Sequence, residues 1–276
     1  MIAVQRTASP PLSQFVRLLW YYDGFEQPHS KERLLPDGTM SLVVNLRENC
    51  IRLPDPESRC GMQTTPGHVL SGARSGFFVL DTSDMVCTLG VQFSPGGAFP
   101  FLRMPAGELS EQALSLDLLW GSDGDDLRVR LLEAPTPERK FRVVENWLVQ
   151  RLAKPLERNP AVAYALQQFQ RPSYSPAVAS VVQKIGISQR RFIQLFTAEV
   201  GLAPKVFSRV MRFQRAVHII ASSPRVDWAQ LALDCGYYDQ AHFIHDFQAF
   251  SGIAPSMYVA SRPRYVNHVP LTEGHF

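Results

Sequence analysis

Cysteine is scarce in this chain, and the few present are not paired in any useful spacing. Cys50, Cys60, Cys87 and Cys235 form no Cys-x-x-Cys motif, so they read as small buried hydrophobes rather than metal or redox ligands. A Cys50–Cys60 redox switch is the disfavoured alternative. Long apolar runs are missing as well. None reaches the roughly 18 residues of a membrane span, and the start, Met1-Ile2-Ala3-Val4-Gln5-Arg6-Thr7, lacks the apolar centre of a signal peptide. The expectation is a cytoplasmic protein with no membrane partner. Catalytic signatures are absent too. Pro95-Gly96-Gly97 lacks the Gly-Lys-Ser/Thr ending of a phosphate loop, and no Ser or Cys sits in a nucleophile elbow. No cysteine has a basic cluster beside it in sequence, as an activated acceptor thiol would need. His242 and His245 lie three apart but have no third ligand at a recognisable spacing. No catalytic residue, metal or cofactor is therefore assigned, and the chain is not expected to be an enzyme.

What the chain does have is a small pattern written twice. Gly186-Ile187-Ser188-Gln189-Arg190-Arg191-Phe192 is followed by Phe196, Gly201, Pro204 and Phe207. Gly236-Tyr237-Tyr238-Asp239-Gln240-Ala241-His242-Phe243 is followed by Phe247, Gly252, Pro255 and Tyr258. From Phe192/Phe243 onward the equivalent positions lie 51 apart, while Gly186 and Gly236 lie 50 apart. The slip falls in the turn, where it is cheapest. Each copy reads as helix, tight turn, second helix, the geometry that places a short helix in a DNA major groove. Two in tandem can read two successive grooves.

Charge agrees with this only when divided. The net charge is +3, but residues 172–276 hold ten Lys/Arg against six Asp/Glu, and the remainder 18 against 19. The positive excess sits with the repeat, as phosphate binding requires.

At 276 residues, two domains are expected. Residues 1–105 read as a β-rich small barrel or sandwich, with a cupin-like fold among the alternatives. The candidate strands are Phe15–Tyr22, Met40–Leu46, His68–Leu70, Gly76–Leu80 and Met85–Phe93, and Asp37-Gly38 is a hairpin cue. Residues 106–158 read as a helical extension and linker. They comprise a first helical stretch over 108–121 and a better helix capped by Thr136 with the apolar stripe Phe141, Val144, Trp147, Leu148 and Leu152. That stripe serves as core against the β domain or as a dimer seam. Residues 159–264 read as an all-α tandem helix-turn-helix domain, with Ser175-Pro176 starting its second helix, and 265–276 as a tail. The whole is an α+β multidomain chain.

In the first copy Phe192, Leu195 and Phe196 face inward, which leaves Ser188 as cap and Gln189, Arg190, Arg191 and Gln194 outward. Arg190 and Gln194 share one face and are the best base readers; Arg191 suits phosphate. The second copy presents Asp239, Gln240, Ala241, Ile244 and His245. It carries Asp246 and no Arg or Lys before Phe250, so weaker binding is expected of it. A long helix from Pro204 bridges the copies. Arg209, Arg212 and Arg215 on it are either phosphate contacts or a solvated face.

The stretch from about 161 to 262 resembles the DNA-binding domain of AraC/XylS-type transcription regulators. The motifs that carry the resemblance are Cys235-Gly236-Tyr237-Tyr238-Asp239-Gln240-Ala241-His242-Phe243, Asp246-Phe247, Ser251-Gly252-Ile253-Ala254-Pro255 and Tyr258. The resemblance implies two helix-turn-helix units joined by a long helix. It also implies double-stranded DNA as partner, with RNA polymerase, a small-molecule effector and a homodimer as further expectations. The chain departs from the family where His245 and Gln248 stand in place of a frequent Arg and Lys. The N-terminal segment is similar to a domain found on some such regulators. The echoes are Leu35-Pro36-Asp37-Gly38, Gly61-Met62-Gln63, Phe93-Ser94-Pro95-Gly96-Gly97-Ala98, Pro105-Ala106-Gly107-Glu108-Leu109 and Leu118-Leu119-Trp120-Gly121. By that analogy the domain senses a small molecule, dimerises, or does both.

Overall fold

The computed structural model describes residues 1–24, 29–54, 61–83, 85–171, 176–223, 225–261 and 263–271. Cys60 and Ser175 lie outside the described residues, and with them the Cys50–Cys60 pair and the Ser175 cap.

Among the described residues, three antiparallel sheets build the N-terminal half. The largest takes the order β1 (Ile2–Arg6), β2 (Val16–Asp23), β9 (Cys87–Phe93), β4 (Ser41–Asn45), β7 (His68–Ser71) and β10 (Ala113–Ser115). Its strands alternate faces, so Leu19, Leu42, Val44, Leu89 and Val91 all point inward and are fully buried. A second sheet has the order β11 (His268–Pro270), β3 (Lys31–Leu34), β8 (Phe78–Asp81), and a third pairs β5 (Cys50–Pro54) with β6 (Met62–Pro66).

Asp37-Gly38 does not close a hairpin. The strand before it, β3, pairs with β8 and β11, and the strand after it, β4, belongs to the large sheet. The Asp37 carboxylate accepts from Thr39 N (2.9 Å), Thr39 Oγ1 (2.7 Å) and Gln92 Nε2 (2.7 Å). This Asx-type turn carries the chain from one sheet to the next.

Three boundaries also differ from expectation. The β domain runs past residue 105, because β10 pairs with β7 at the sheet edge. Where a helix was read over 108–121, the chain makes a 3-10 turn (Ala106–Leu109), then β10, then the short α1 (Leu116–Trp120). Last, the tail is structured: β11 returns to the N-terminal domain and pairs with β3. A strand of three residues with no alternation to read is invisible to pattern analysis.

Helices α2 (Asp123–Glu133) and α3 (Pro137–Gln150) pack on the sheet. Thr136 caps α3 by accepting from Arg139 N, and Phe141, Val144, Trp147 and Leu148 are fully buried in the core shared with the β domain. That stripe is core; Leu152, beyond the helix end, is partly exposed. His68, buried under α2, places Nε2 3.1 Å from Asp125 Oδ1 and 3.6 Å from Asp117 Oδ2, tying β7 to α1 and α2.

Among the described residues seven helices follow: α4 (Pro160–Phe169), α5 (Val178–Ile185), α6 (Gln189–Val200), α7 (Pro204–Ser222), α8 (Trp228–Asp234), α9 (Gln240–Ser251) and α10 (Pro255–Ser261). Among the described residues no helix is long and apolar enough to cross a membrane.

The apolar cores ignore the domain boundary. One cluster joins Leu42, Phe93, Ala106 and Leu109 to Phe192, Phe196 and Phe207, and another joins Leu35 and Val269 to Phe213, Phe243 and Phe247. Gln214 on α7 donates to Pro36 O (2.8 Å) and to Asn267 Oδ1 (2.9 Å), a polar rivet between N-terminal domain, linker helix and tail.

Candidate nucleic-acid interface

Each copy folds as the repeat implies. In the first, α5 ends at Gly186 in the left-handed region (φ 77°), and Ser188 caps α6 by accepting from Arg191 N at 3.3 Å. In the second, α8 leads to Gly236 (φ 79°), and Asp239 caps α9 by accepting from His242 N at 2.7 Å. Glycine reaches positive φ without the Cβ penalty that other residues carry there. Both reading helices are 12 residues long and both stop at a left-handed glycine, Gly201 or Gly252. Equivalent rings even keep equivalent contacts: Phe196 packs edge-on to Phe207 at 5.5 Å, and Phe247 to Tyr258 at 5.7 Å.

The N-terminal ends of α6 and α9 are open and their C-terminal ends are covered. Ser188, Gln189, Arg190, Arg191 and Gln194 are all exposed. At the far end of α6, a Cβ on Gly201 would lie 3.0 Å from Met40 Cε and 3.3 Å from Ala73 Cβ. The corresponding Cβ on Gly252 would lie 2.5 Å from the Phe77 ring. Both helices thus lean their last turn on the β domain and point their first turn away from it.

Asp239, Gln240, Ala241 and His245 on α9 are exposed, whereas Ile244 is half-buried and packs against the second core. The sequence places Ile244 outward with Gln240, one turn before it; packing against the second core turns it partly inward. Tyr238, which the sequence reading passed over, is 86% exposed beside the Asp239 cap, while its neighbour Tyr237 is buried. The signal was present: a capping Asp leaves the preceding residue outside the helix.

The arginine row is not the free row that was expected. Asp246 is only 3% exposed and faces α7, not solvent. It accepts from Arg209 Nη2 (2.7 Å) and Arg212 Nη2 (3.2 Å), while Arg212 Nη1 also donates to Gly236 O (3.1 Å). Burial works to raise the Asp246 pKa, but the Arg209 hydrogen bond and the charges of Arg209, Arg212 and His242 outweigh it, and the carboxyl titrates below its ordinary value. Arg212 further lies over the Tyr237 ring, 4.4 Å from its centroid. Arg215 donates to Arg171 O. These residues were candidates for phosphate contact or a solvated face; two of them instead fasten α9 to the linker helix.

His242, weighed as a metal ligand, and Cys235, weighed as an acceptor thiol, are engaged otherwise. His242 Nδ1 accepts from Tyr238 N at 3.4 Å, and its Nε2 lies 4.0 Å from Asp246. Cys235 is fully buried, and burial pushes its thiol up to about 11, the opposite of an activated nucleophile.

Residues 181–261 match a family described as a helix-turn-helix domain, and residues 5–115 match a domain of unknown function, DUF6597. An uncharacterised HTH-type transcriptional regulator from Haemophilus influenzae is 30% identical over 100 residues, 36% of this chain. The match spans only 32% of that relative's length. Apo ToxT from Vibrio cholerae is similar over 92% of this chain and 99% of its own, at 13% identity and a TM-score of 0.47. A regulator with an AraC-type DNA-binding domain from Chromobacterium violaceum aligns over 38% of this chain and 94% of its own, at 20% identity and a TM-score of 0.34. The shared feature is the C-terminal helix-turn-helix domain, which this chain has in common with DNA-binding transcription regulators.

Proposed function

We propose that the protein reads two successive major grooves of promoter DNA with α6 and α9, and that the first helix supplies most of the sequence discrimination. The observation that carries this is the exposed face of α6. Arg190, Gln194 and Gln189 stand free of protein partners among the described residues, on a helix whose start is capped and whose end is fixed to the β domain. Arginine binds guanine through two hydrogen bonds and glutamine does the same for adenine. Arg191 and the Ser188 end of the helix suit backbone phosphate. In α9, Gln240 and His245 read bases more weakly, Ala241 and the exposed edge of Ile244 meet thymine methyl groups, and Asp239 is a cap.

A small-molecule effector acting through the N-terminal domain, a homodimer and contact with RNA polymerase complete the reading, in the cytoplasm. An effector-free variant, whose N-terminal domain only positions the reading helices, is favoured by one observation: the cores of both units include N-terminal residues. Activation and repression are equally compatible with either.

Selection of bound sequences from a random DNA pool by the full-length protein tests the reading. The expected product is one motif with two half-sites about ten base pairs apart. Recovery of no enriched motif, with or without candidate effectors, contradicts it.

A further inference from the structure

His68 opens β7 and is fully buried, with its Nε2 edge turned toward two carboxylates from the helical layer. Asp125 Oδ1 on α2 lies 3.1 Å from that nitrogen, and Asp117 Oδ2 on α1 lies 3.6 Å from it. One ligand atom from each of the three residues lies within 4.8 Å of the other two. Among the described residues neither carboxylate pairs with a lysine or arginine, so only the imidazole stands against their mutual repulsion. The His68 side chain has no hydrogen-bond partner outside this cluster, because its Nδ1 is buried and unpaired. The close approach is built in locally. Gly124 N donates to Asp117 Oδ1 at 3.2 Å, which leaves Oδ2 for the ring. A Cβ at residue 124 would lie 2.7 Å from both Asp117 Oδ1 and His68 Nδ1, so glycine is what lets α2 start this close to β7. The Asp117 and Asp125 side chains are 31% and 62% exposed, which opens one side of the cluster to water.

We propose that His68 Nε2, Asp117 and Asp125 bind a divalent first-row transition metal ion, zinc in preference to manganese, with water completing the shell. Ligand atoms about 2.1 Å from one ion, at bond angles of about 90–120°, lie about 3.0–3.6 Å from one another. The two separations from Nε2 fall in that window. An imidazole beside two carboxylates favours zinc or manganese over magnesium and calcium, which take oxygen ligands. Ligating histidines ordinarily donate their second N–H to an acceptor, and none stands at Nδ1. Loss of such support costs about 10–100-fold in affinity, so the site fills and empties with metal supply and is not a permanent structural centre. A bound ion bridges the sheet at β7 to both α1 and α2, and its binding energy adds to the stability of that joint. The inference makes no use of the DNA reading and stands or falls apart from it.

The test is calorimetric titration of the metal-stripped full chain with zinc, manganese and magnesium chlorides, with thermal unfolding measured alongside. Zinc is expected to bind and raise the unfolding midpoint, manganese to bind more weakly, and magnesium to be the weakest of the three. Asp125→Asn keeps the shape of an exposed side chain and is expected to weaken zinc by about tenfold or more. Asp117→Asn is the second variant; it keeps the oxygen that accepts from Gly124 N and weakens zinc as well. His29, Glu32 and His268 form a separate imidazole–carboxylate group, so His268→Gln serves as the control and is expected to leave zinc affinity unchanged. No zinc binding, magnesium binding as tight as zinc, or zinc affinity unchanged in both aspartate variants overturns the proposal. Loss of zinc binding in His268→Gln alone places the ion at the other group and overturns it too.

Discussion

The two helix-turn-helix units are built to one plan and equipped differently. Both have a left-handed glycine in the turn, an oxygen cap on the reading helix, a 12-residue reading helix and a glycine stop set against the β domain. In the first unit the cations lie on the reading helix itself, exposed at Arg190 and Arg191. In the second they lie on the linker helix α7 and turn inward to Asp246. The lesson is that net charge in a DNA-binding fold has to be assigned residue by residue. Two of the arginines that make the repeat region positive are spent on holding the second reading helix in place.

The sharpest way to break this comparison is Asp246→Ala. It leaves Arg212 and Arg209 without their anion, and removing one partner of a buried pair costs about 3–5 kcal/mol; Arg209 is the more exposed, so about 2–4 is expected here. Urea unfolding measures it, and a loss under about 0.5 kcal/mol would return Asp246 to an ordinary surface charge. The same residue sets a pH dependence. Because the folded pKa lies below the ordinary value of 3.8, the stabilisation is complete above that value and fades as pH falls through the folded one. The wild-type advantage over Asp246→Asn is therefore expected to be constant from neutral pH to about 5 and to shrink below the ordinary carboxyl value. An advantage that grows as pH falls below the ordinary carboxyl value contradicts the ion-pair account.

Glycine replacement separates backbone strain from contact with the β domain. Gly186 has open space around its absent Cβ, whereas the Cβ position of Gly252 is filled by Phe77. Gly186→Ala is expected to cost about 1–2 kcal/mol from positive φ alone, and Gly252→Ala more. Equal losses in thermal or urea unfolding mean that the β domain does not press on the second unit.

On DNA, Arg190→Ala is expected to lose about 1–3 kcal/mol on the selected site and little on random sequence. Equal losses on both would make Arg190 a phosphate contact. His245→Ala is the smallest expected effect, under about 1 kcal/mol on the same site, and binding isotherms of the two variants side by side give the ratio.

The repeat, its caps and its outward positions were legible because a helix-turn-helix repeats locally: Ser188, Asp239, Gly186 and Gly236 each act within a few residues of themselves. What escaped depends on partners far away in sequence. Asp246 reads as a repulsive surface charge until Arg209 and Arg212, a helix away, are seen to reach it. Asp37-Gly38 has hairpin chemistry, and only the pairing of β3 with β8 and β11 shows that no hairpin forms. The tail strand is three residues whose order comes from Glu32: His268 Nδ1 lies 2.7 Å from Glu32 Oε1, 236 residues away. Periodicity cannot report on such contacts.

The account's central claim is that discrimination is concentrated in the first unit. It is tested most directly by equilibrium affinity for the selected site with one half-site or the other replaced by scrambled sequence. Scrambling the half-site assigned to α6 by its altered preference in Arg190→Ala is expected to weaken binding at least tenfold more than scrambling the other, about 1.4 kcal/mol. Equal losses, or a larger loss from the α9 half-site, would contradict it.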